Sequence, residues 1–63
     1  MLLSDDLIDA IKRADVYRYF DWRSNTLYFV SMNEDSPLTD EEKRRIYNHV
    51  ALYMFPFSIE FKN

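Results

Sequence analysis

Few ionisable side chains in this sequence are spaced in a way that supports catalysis. Asp21 and Glu60 fall on the same alternating face of two strand-like segments, so neighbouring strands would bring two carboxyl groups together. A carboxyl pair of this kind can act as general acid and base. Arg23 and Lys62 each lie two residues from one of these acids, however, and cross-strand ion pairing explains the charges better. His49 has no nucleophile and orienting acid beside it. We therefore expect no catalytic residues, and the protein is predicted not to be an enzyme.

A run of three basic residues, Lys43, Arg44 and Arg45, is the sequence feature that most suggests phosphate contacts. Asp40 and Glu41 lie one helical turn before the last two of these cations, in the order that favours helical ion pairs. The net charge of −3 also argues against a protein that binds nucleic-acid backbones, which normally carries a basic excess. We expect a solvated, self-compensating helix face, with phosphate contact as the less favoured alternative.

The absence of glycine and cysteine narrows the possible functions further. The 63-residue chain has no glycine, so it lacks the phosphate loop, the dinucleotide fingerprint and the EF-hand loop. With no thiolate and with His49 as its single histidine, it is expected to have no disulfide, no structural metal and no cofactor. Asn25, Asn33 and Asn48 are best suited to the positive φ angles of turns. The length predicts one small domain, residues 1–63, with a thin stability margin.

The first predicted element is a helix that begins after Ser4. Ser4 is a favourable N-cap residue, and two aspartates follow it at the positive end of the helix dipole. Leu7, Ile8, Ile11 and Ala14 recur at helical spacing and form one apolar stripe. This stripe predicts that the helix packs against the rest of the fold.

Two strand-like segments, 16–22 and 27–30, follow the helix, since both are rich in β-branched and aromatic side chains. The polar segment between them predicts a β-hairpin with Ser24 and Asn25 as a two-residue turn, a longer loop being the alternative. In that register four apolar side chains share one face as two facing pairs, Trp22 with Leu27 and Phe20 with Phe29.

A second helix is predicted to begin at a capping box. Thr39 and Glu42 have the spacing at which each side chain satisfies a backbone N–H of the other. The apolar stripe of this helix consists of Ile46, Val50, Tyr53 and Met54, widened by Tyr47 and Ala51. Pro56 disfavours helical geometry in the residue before it, so the helix should end near Met54. The tail, 57–62, alternates apolar and polar residues as a half-buried strand does.

The order helix, strand, strand, helix, strand predicts a small α+β domain. If the last strand lies beside the first, the three strands form an antiparallel sheet in the spatial order 2-1-3. The alternative places the last strand beside the second and parallel to it. Both helices are expected to pack on one face of the sheet. The core-facing side chains of the strands would be Phe20, Trp22, Leu27, Phe29, Phe57, Ile59 and Phe61.

The opposite face of the sheet is predicted to carry large side chains that the helices leave open. These are Tyr17, Tyr19, Tyr28, Val30 and Met32. Tyrosine is enriched in binding surfaces because it combines apolar area and a hydroxyl with few rotatable bonds, and methionine adapts to irregular partners. We therefore expect these residues to bind a protein partner, with self-association as the simplest form. The alternative is that the tyrosines only pair with one another along exposed strands.

Small size, acidity and the lack of catalytic residues are typical of accessory proteins such as those of phages and mobile elements. We expect a non-enzymatic inhibitor or adaptor that binds a host protein in the cytoplasm, as a homodimer or larger homo-oligomer. The sequence has no recognisable signal peptide or membrane span, so no membrane partner is expected. The alternative is a regulatory protein that binds nucleic acid or mimics it, although the acidity disfavours a nucleic-acid partner.

Overall fold

Two helices and three strands follow one another in the predicted order. The computed structural model describes residues 3–54 and 56–63, with Met54 described by its backbone alone. The elements are α1 (Asp5–Ala14), β1 (Val16–Asp21), β2 (Thr26–Ser31), α2 (Asp40–Met54) and β3 (Ser58–Lys62). The predicted end of the second helix near Met54 is confirmed, whereas the expected departure from helical geometry at Phe55 lies outside the described residues.

The ends of α1 are set by the residues on either side of it. Ser4 occupies the N-cap with extended backbone (φ −66°, ψ 156°), and its carbonyl accepts the first helical hydrogen bonds. Its hydroxyl does not cap the helix and instead accepts a hydrogen bond from the Arg45 guanidinium at 3.2 Å. Asp15 ends the helix in the left-handed conformation, with φ 50°. Of the three asparagines predicted for such angles, only Asn25 has one (φ 54°) within the described residues.

The capping box predicted at the start of α2 is present. The Thr39 hydroxyl accepts a hydrogen bond from the Glu42 N–H at 3.2 Å, and Glu42 Oε1 accepts one from the Thr39 N–H at 2.9 Å. The Glu42 carboxylate also binds both terminal nitrogens of Arg13, at 2.6 and 2.9 Å. The hydrogen bonds from Arg13 and then from the Thr39 backbone lower the pKa of Glu42 to about 2. Glu42 therefore joins the first turn of α2 to the last turn of α1.

The central strand of the sheet is β2. β1 pairs with it antiparallel and β3 pairs with it parallel, giving the order β1-β2-β3. The predicted order 2-1-3 with three antiparallel strands is therefore wrong, and the alternative with the last strand parallel to the second is confirmed. β2 has four buried residues of six, whereas β1 has none. A central position suits the strand that removes most apolar area from water, and that strand is β2.

The turn between β1 and β2 is longer than the predicted two residues. Asp21 pairs with Thr26, so four residues, 22–25, connect the strands. Pairing is shifted by two positions from the prediction, and Phe20 faces Leu27. Because side chains alternate with a period of two, this shift leaves every strand residue on its predicted face.

The core lies between the two helices and the inner face of the sheet, which confirms that both helices pack on one face. Its buried hydrophobic residues are Leu7, Ala10, Ala14, Leu27, Phe29, Leu38 and Ile46. Ile59 and Phe61 are half-buried beside them, and the Phe61 ring stacks on Phe29 with 5.3 Å between centroids. Ala10 and Leu38 lie outside the predicted stripes. Ala10 is a small residue of α1 and Leu38 lies in the loop before α2, and both pack in the core cluster with residues of the helices and β2.

Three residues predicted for the core are exposed instead. They are Phe20 (42% exposed), Phe57 (39%) and Trp22 (76%). Trp22 lies in the four-residue turn and Phe57 precedes β3, so neither is held on the inner face by strand pairing. The helix-stripe members Ile8, Tyr47 and Tyr53 are exposed as well, and the side chain of Met54 lies outside the described residues.

Candidate protein-binding face

The outer face of the sheet carries the residues predicted to bind a partner. Tyr17 and Tyr19 of β1 lie opposite Val30 and Tyr28 of β2, respectively. Met32 follows β2 directly. We call these five residues the tyrosine face. The structure brings the first four together as two cross-strand pairs, with Met32 just beyond the pair of Tyr17 and Val30.

The tyrosine face is open at one end and more enclosed at its centre. Tyr17 is 58% exposed and Met32 is 56% exposed, whereas Tyr19, Tyr28 and Val30 are half-buried. The helices pack on the other side of the sheet, so this partial burial comes from strand neighbours on the face itself.

The three tyrosine rings form a continuous series across β1 and β2. The rings of Tyr19 and Tyr28 stack with 4.9 Å between centroids and 21° between planes. Tyr17 continues the series along β1, with its centroid 5.9 Å from that of Tyr19 and a tilt of 33°. Stacked and tilted arrangements at these separations are favourable for aromatic pairs. Each ring is thereby held in place by its neighbour.

Lys62 of β3 contacts the far side of this series. Its ammonium group lies 4.4 Å from the centroid of Tyr28, a cation–π distance, and donates a hydrogen bond to the Tyr19 hydroxyl at 3.3 Å. Alternation places Lys62 on this face from the sequence alone. The contact with Tyr28 additionally requires β3 to lie beside β2, which the preferred topology missed.

The two carboxylates considered as an acid and base are not neighbours. β2 lies between their strands, with Asp21 opposite Thr26 and Glu60 opposite Tyr28. Asp21 Oδ1 accepts a hydrogen bond from the N–H of Arg23 at 3.0 Å, which helps to form the turn. Its position is explained by turn geometry.

Two of the three basic residues of α2, Arg44 and Arg45, are paired, although with partners other than those predicted. Arg45 binds Asp6 of α1 at 3.0 Å, and Arg44 lies 3.8 Å from Glu41, three residues before it. The hydrogen bond from Arg45 is the main cause that lowers the pKa of Asp6 below its usual value. These two cations therefore serve contacts within the protein.

The histidine and the acidic side chains in the described part of the chain do not form a cluster typical of a metal site. His49 is half-buried on α2, with its ring centroid 6.1 Å from that of Tyr53. Across residues 3–54 and 56–63, no three acidic or histidine side chains gather closely enough to hold a metal ion.

An apolar cavity of about 410 Å³ opens on the inner face, between β1 and the two helices. Its walls include Ile11, Val16, Ile46 and Val50, with Arg18 as the charged residue among them. The described lining contains no carboxylate, histidine or serine, and its polar side chains are those of Tyr17 and Arg18.

Within the described residues, neither helix combines the length and the apolar composition needed to cross a bilayer.

Comparison with known proteins identified no relative of this chain. A scan against models of protein families, a search of curated proteins and a search of solved structures each returned no match. Any functional conclusion therefore follows from the geometry described above.

Proposed function

We propose that this protein is a non-enzymatic binding module, a small inhibitor or adaptor that binds a host protein and also self-associates. The observation that carries the proposal is the ordered series of Tyr17, Tyr19 and Tyr28 on the sheet face opposite the two described helices. Tyrosine and other aromatic residues are the side chains most enriched at protein interfaces and at their binding hot spots.

The packing of the rings supports a binding role because it reduces the cost of association. A side chain that is already ordered in the free protein loses little rotamer entropy when a partner covers it. Tyr19 is ordered from one side by Tyr28 and through its hydroxyl by Lys62. The exposed ring of Tyr17 then offers apolar area and a hydroxyl at the open end.

The charge of the chain indicates the kind of partner. The net charge is −3, and exposed aspartates such as Asp5 and Asp9 lie on α1. Charge complementarity steers association and favours a partner with a basic surface. We place the protein with the small acidic accessory proteins that phages and mobile elements use against host proteins.

The test is the double variant Tyr19→Ser/Tyr28→Ser. Removing two central aromatic residues from an interface costs about 2 kcal/mol or more, which corresponds to at least a tenfold rise in Kd. Proteins captured from host lysate by the immobilised chain are identified, and the Kd of each purified candidate is measured by calorimetry. The matched control is Tyr47→Ser/Tyr53→Ser, which removes two exposed tyrosines from α2 and should leave the Kd unchanged.

Far-UV circular dichroism establishes that each variant retains the fold. If the double variant is unfolded, Tyr17→Ser replaces it, because Tyr17 is 58% exposed and its loss leaves the Tyr19–Tyr28 stack in place. An unchanged Kd in a folded variant of the tyrosine face would contradict the proposal. So would an equal loss of binding in the α2 control.

Nucleic-acid binding is the second candidate, and the observation in its favour is a cation over a stacked aromatic pair. Bases stack on such platforms in proteins that bind single strands. The net charge of −3 opposes this function. Titration of a fluorescent single-stranded oligonucleotide at low salt distinguishes the two, and our proposal predicts no binding in that assay.

A further inference from the structure

Across residues 3–54 and 56–63, no strand lies beside the outer edge of β1. β1 pairs with β2 on one side only, so the backbone groups on its other side form no ladder. On the inner face, Arg18 and Phe20 at this edge are both exposed, so neither helix covers it. Natural edge strands are usually protected by proline, charged side chains, a bulge or a covering element, because an open edge can pair with another chain. β1 has no proline, lysine or bulge, and its one inward-facing charge, Arg18, lies opposite Phe20 of a second copy in the pairing proposed below.

We propose that β1 pairs antiparallel with β1 of a second copy, about a twofold axis at Tyr19, so that two sheets become one of six strands. This proposal rests on the self-association included in the proposed function. In this register Tyr17 lies opposite Asp21 of the second copy, on the outer face. Arg18 lies opposite Phe20 of the second copy, on the inner face. A hydroxyl can donate to a carboxylate, and a guanidinium can pack on a ring, so β1 is complementary to itself.

The spacing of the tyrosine rings fits this arrangement. Tyr19 and Tyr28 stack at 4.9 Å, which matches the separation of about 4.8 Å between neighbouring strands. A second copy of β1 would place its Tyr19 at the next such interval. The stack would then contain four rings, with Tyr28 and Lys62 of each copy at its two ends. The two tyrosine faces would form one continuous surface, so each copy contributes half of the proposed binding site.

Other registers of the same strand are disfavoured by its charges or its length. An axis at Arg18 places two arginines opposite each other, and also places Asp21 opposite Asp15 of the second copy. Like charges in direct opposition destabilise a strand pair. An axis at Phe20 leaves only residues 19–21 of β1 to pair, because the turn begins at Trp22.

The edge of β3 is a poorer candidate for the same contact. Full-length antiparallel pairing of β3 with itself places Glu60 opposite Glu60 of the second copy. An axis at Phe61 pairs only three residues, 60–62, and needs Lys62 to face Glu60 of the second copy. Lys62 already contacts Tyr19 and Tyr28 within its own chain.

The register can be tested by disulfide formation because the natural chain contains no cysteine. In the double variant Tyr17→Cys/Asp21→Cys, the two introduced thiols lie opposite each other across the interface and should form a covalent dimer on mild oxidation. Each single variant is a matched control. In the single variants Tyr17→Cys and Asp21→Cys, each introduced thiol lies two residues from the axis, so the two copies of it are four residues, about 14 Å, apart along the strands, beyond the reach of about 7 Å for a disulfide. Opposed residues in antiparallel strands alternate between hydrogen-bonded and non-hydrogen-bonded pairs, which differ in separation. The variant Arg18→Cys/Phe20→Cys therefore repeats the test with the other kind of pair.

Light scattering of the natural chain is measured alongside, from micromolar to millimolar concentration. We expect a mass of about twice 7.7 kDa, and at least tenfold faster covalent dimerisation in one double variant than in its single variants. A monomeric mass throughout overturns the proposal and the self-association it rests on, but leaves the binding of a host protein to be judged by its own Kd measurement. A dimeric mass without covalent dimers in either double variant overturns only the β1 pairing. Equal cross-linking of single and double variants overturns it as well.

Discussion

Glu42 is a single residue that serves both helices. Its carboxylate caps the first turn of α2 through the N–H of Thr39 and binds Arg13 at the end of α1. The sequence predicted the first role, because a capping box depends only on residues three positions apart. It could not predict the second, because Arg13 is 29 residues away and meets Glu42 only when both helices pack on the same face.

The shared role of Glu42 predicts how stability depends on pH. Its pKa falls from 4.5 to about 2 on folding, so the carboxylate stabilises the fold fully above about pH 4.5 and loses this effect as the pH falls through about 2. Replacing it in Glu42→Gln removes that titration. The difference in Tm between the natural protein and this variant should therefore shrink as the pH is lowered from neutral to about 2.

The matched control for this prediction is Glu41→Gln. Glu41 is mostly exposed and lies 3.8 Å from Arg44, a geometry that contributes little to stability. Thermal unfolding followed by circular dichroism gives the Tm of all three proteins. Asp6, whose pKa is also lowered, is present in each and cancels in the comparison. A constant difference between the natural protein and Glu42→Gln across this range would show that the carboxylate does not act as described.

At the scale of elements, the junction between α1 and β1 is made by one residue in an unfavourable conformation. Asp15 has φ 50°, which glycine adopts most readily, and its carboxylate lies at the negative end of the helix dipole. The variant Asp15→Gly should therefore raise the free energy of unfolding by about 1 kcal/mol. Asp9→Gly is the matched control within α1 and should lower it by about 1 kcal/mol. Urea unfolding measures both, and a destabilising Asp15→Gly would contradict the prediction.

The elements also show what the sequence could and could not predict. The faces of β1 and β2 were predictable because alternation has a period of two, and it survived an error of two positions in the pairing of Phe20. The turn length was not predictable from Ser24 and Asn25 alone, because Asp21 extends the turn by accepting the Arg23 N–H. The position of β3 depends on whether β1 or β2 buries more apolar area as the central strand. That comparison involves the whole fold and cannot be read from a local sequence pattern.

At the scale of the whole molecule, the protein is two layers thick. Its smallest dimension is 16 Å, which is less than the roughly 20 Å that separates the outer two of three layers packed about 10 Å apart. A sheet with helices on only one side must expose its other face, so the tyrosine face was predictable once two helices and three strands were assigned. The contact of Lys62 with Tyr28 was not predictable, because it depends on the order of the strands in the sheet.

This thin architecture makes the small core sensitive to truncation. Ile46 is 1% exposed and lies among seven buried hydrophobic residues, counted over the described part of the chain, that connect the helices with β2. Ile46→Ala should lower the free energy of unfolding by about 3 kcal/mol, a large share of what a chain of this size can have. Leu52→Ala, at a position 78% exposed on the same helix, should change it by less than about 0.5 kcal/mol. Equal changes in the free energy of unfolding for the two variants, measured by urea unfolding, would contradict the assignment of Ile46 to the core.

The exposure of Trp22 decides how this protein can be observed in solution. The single tryptophan is 76% exposed in the turn, with the Arg23 guanidinium 5.7 Å from its ring centroid. Its indole is surrounded mostly by water in the folded chain, as it is in the unfolded chain, so its emission wavelength should hardly move on denaturation. The stacked tyrosines, by contrast, have a fixed asymmetric environment, and their near-ultraviolet circular dichroism should vanish with the tertiary structure. A shift in tryptophan emission would therefore report binding of a partner at the hairpin end of the sheet, where Trp22 lies, and not unfolding of the chain.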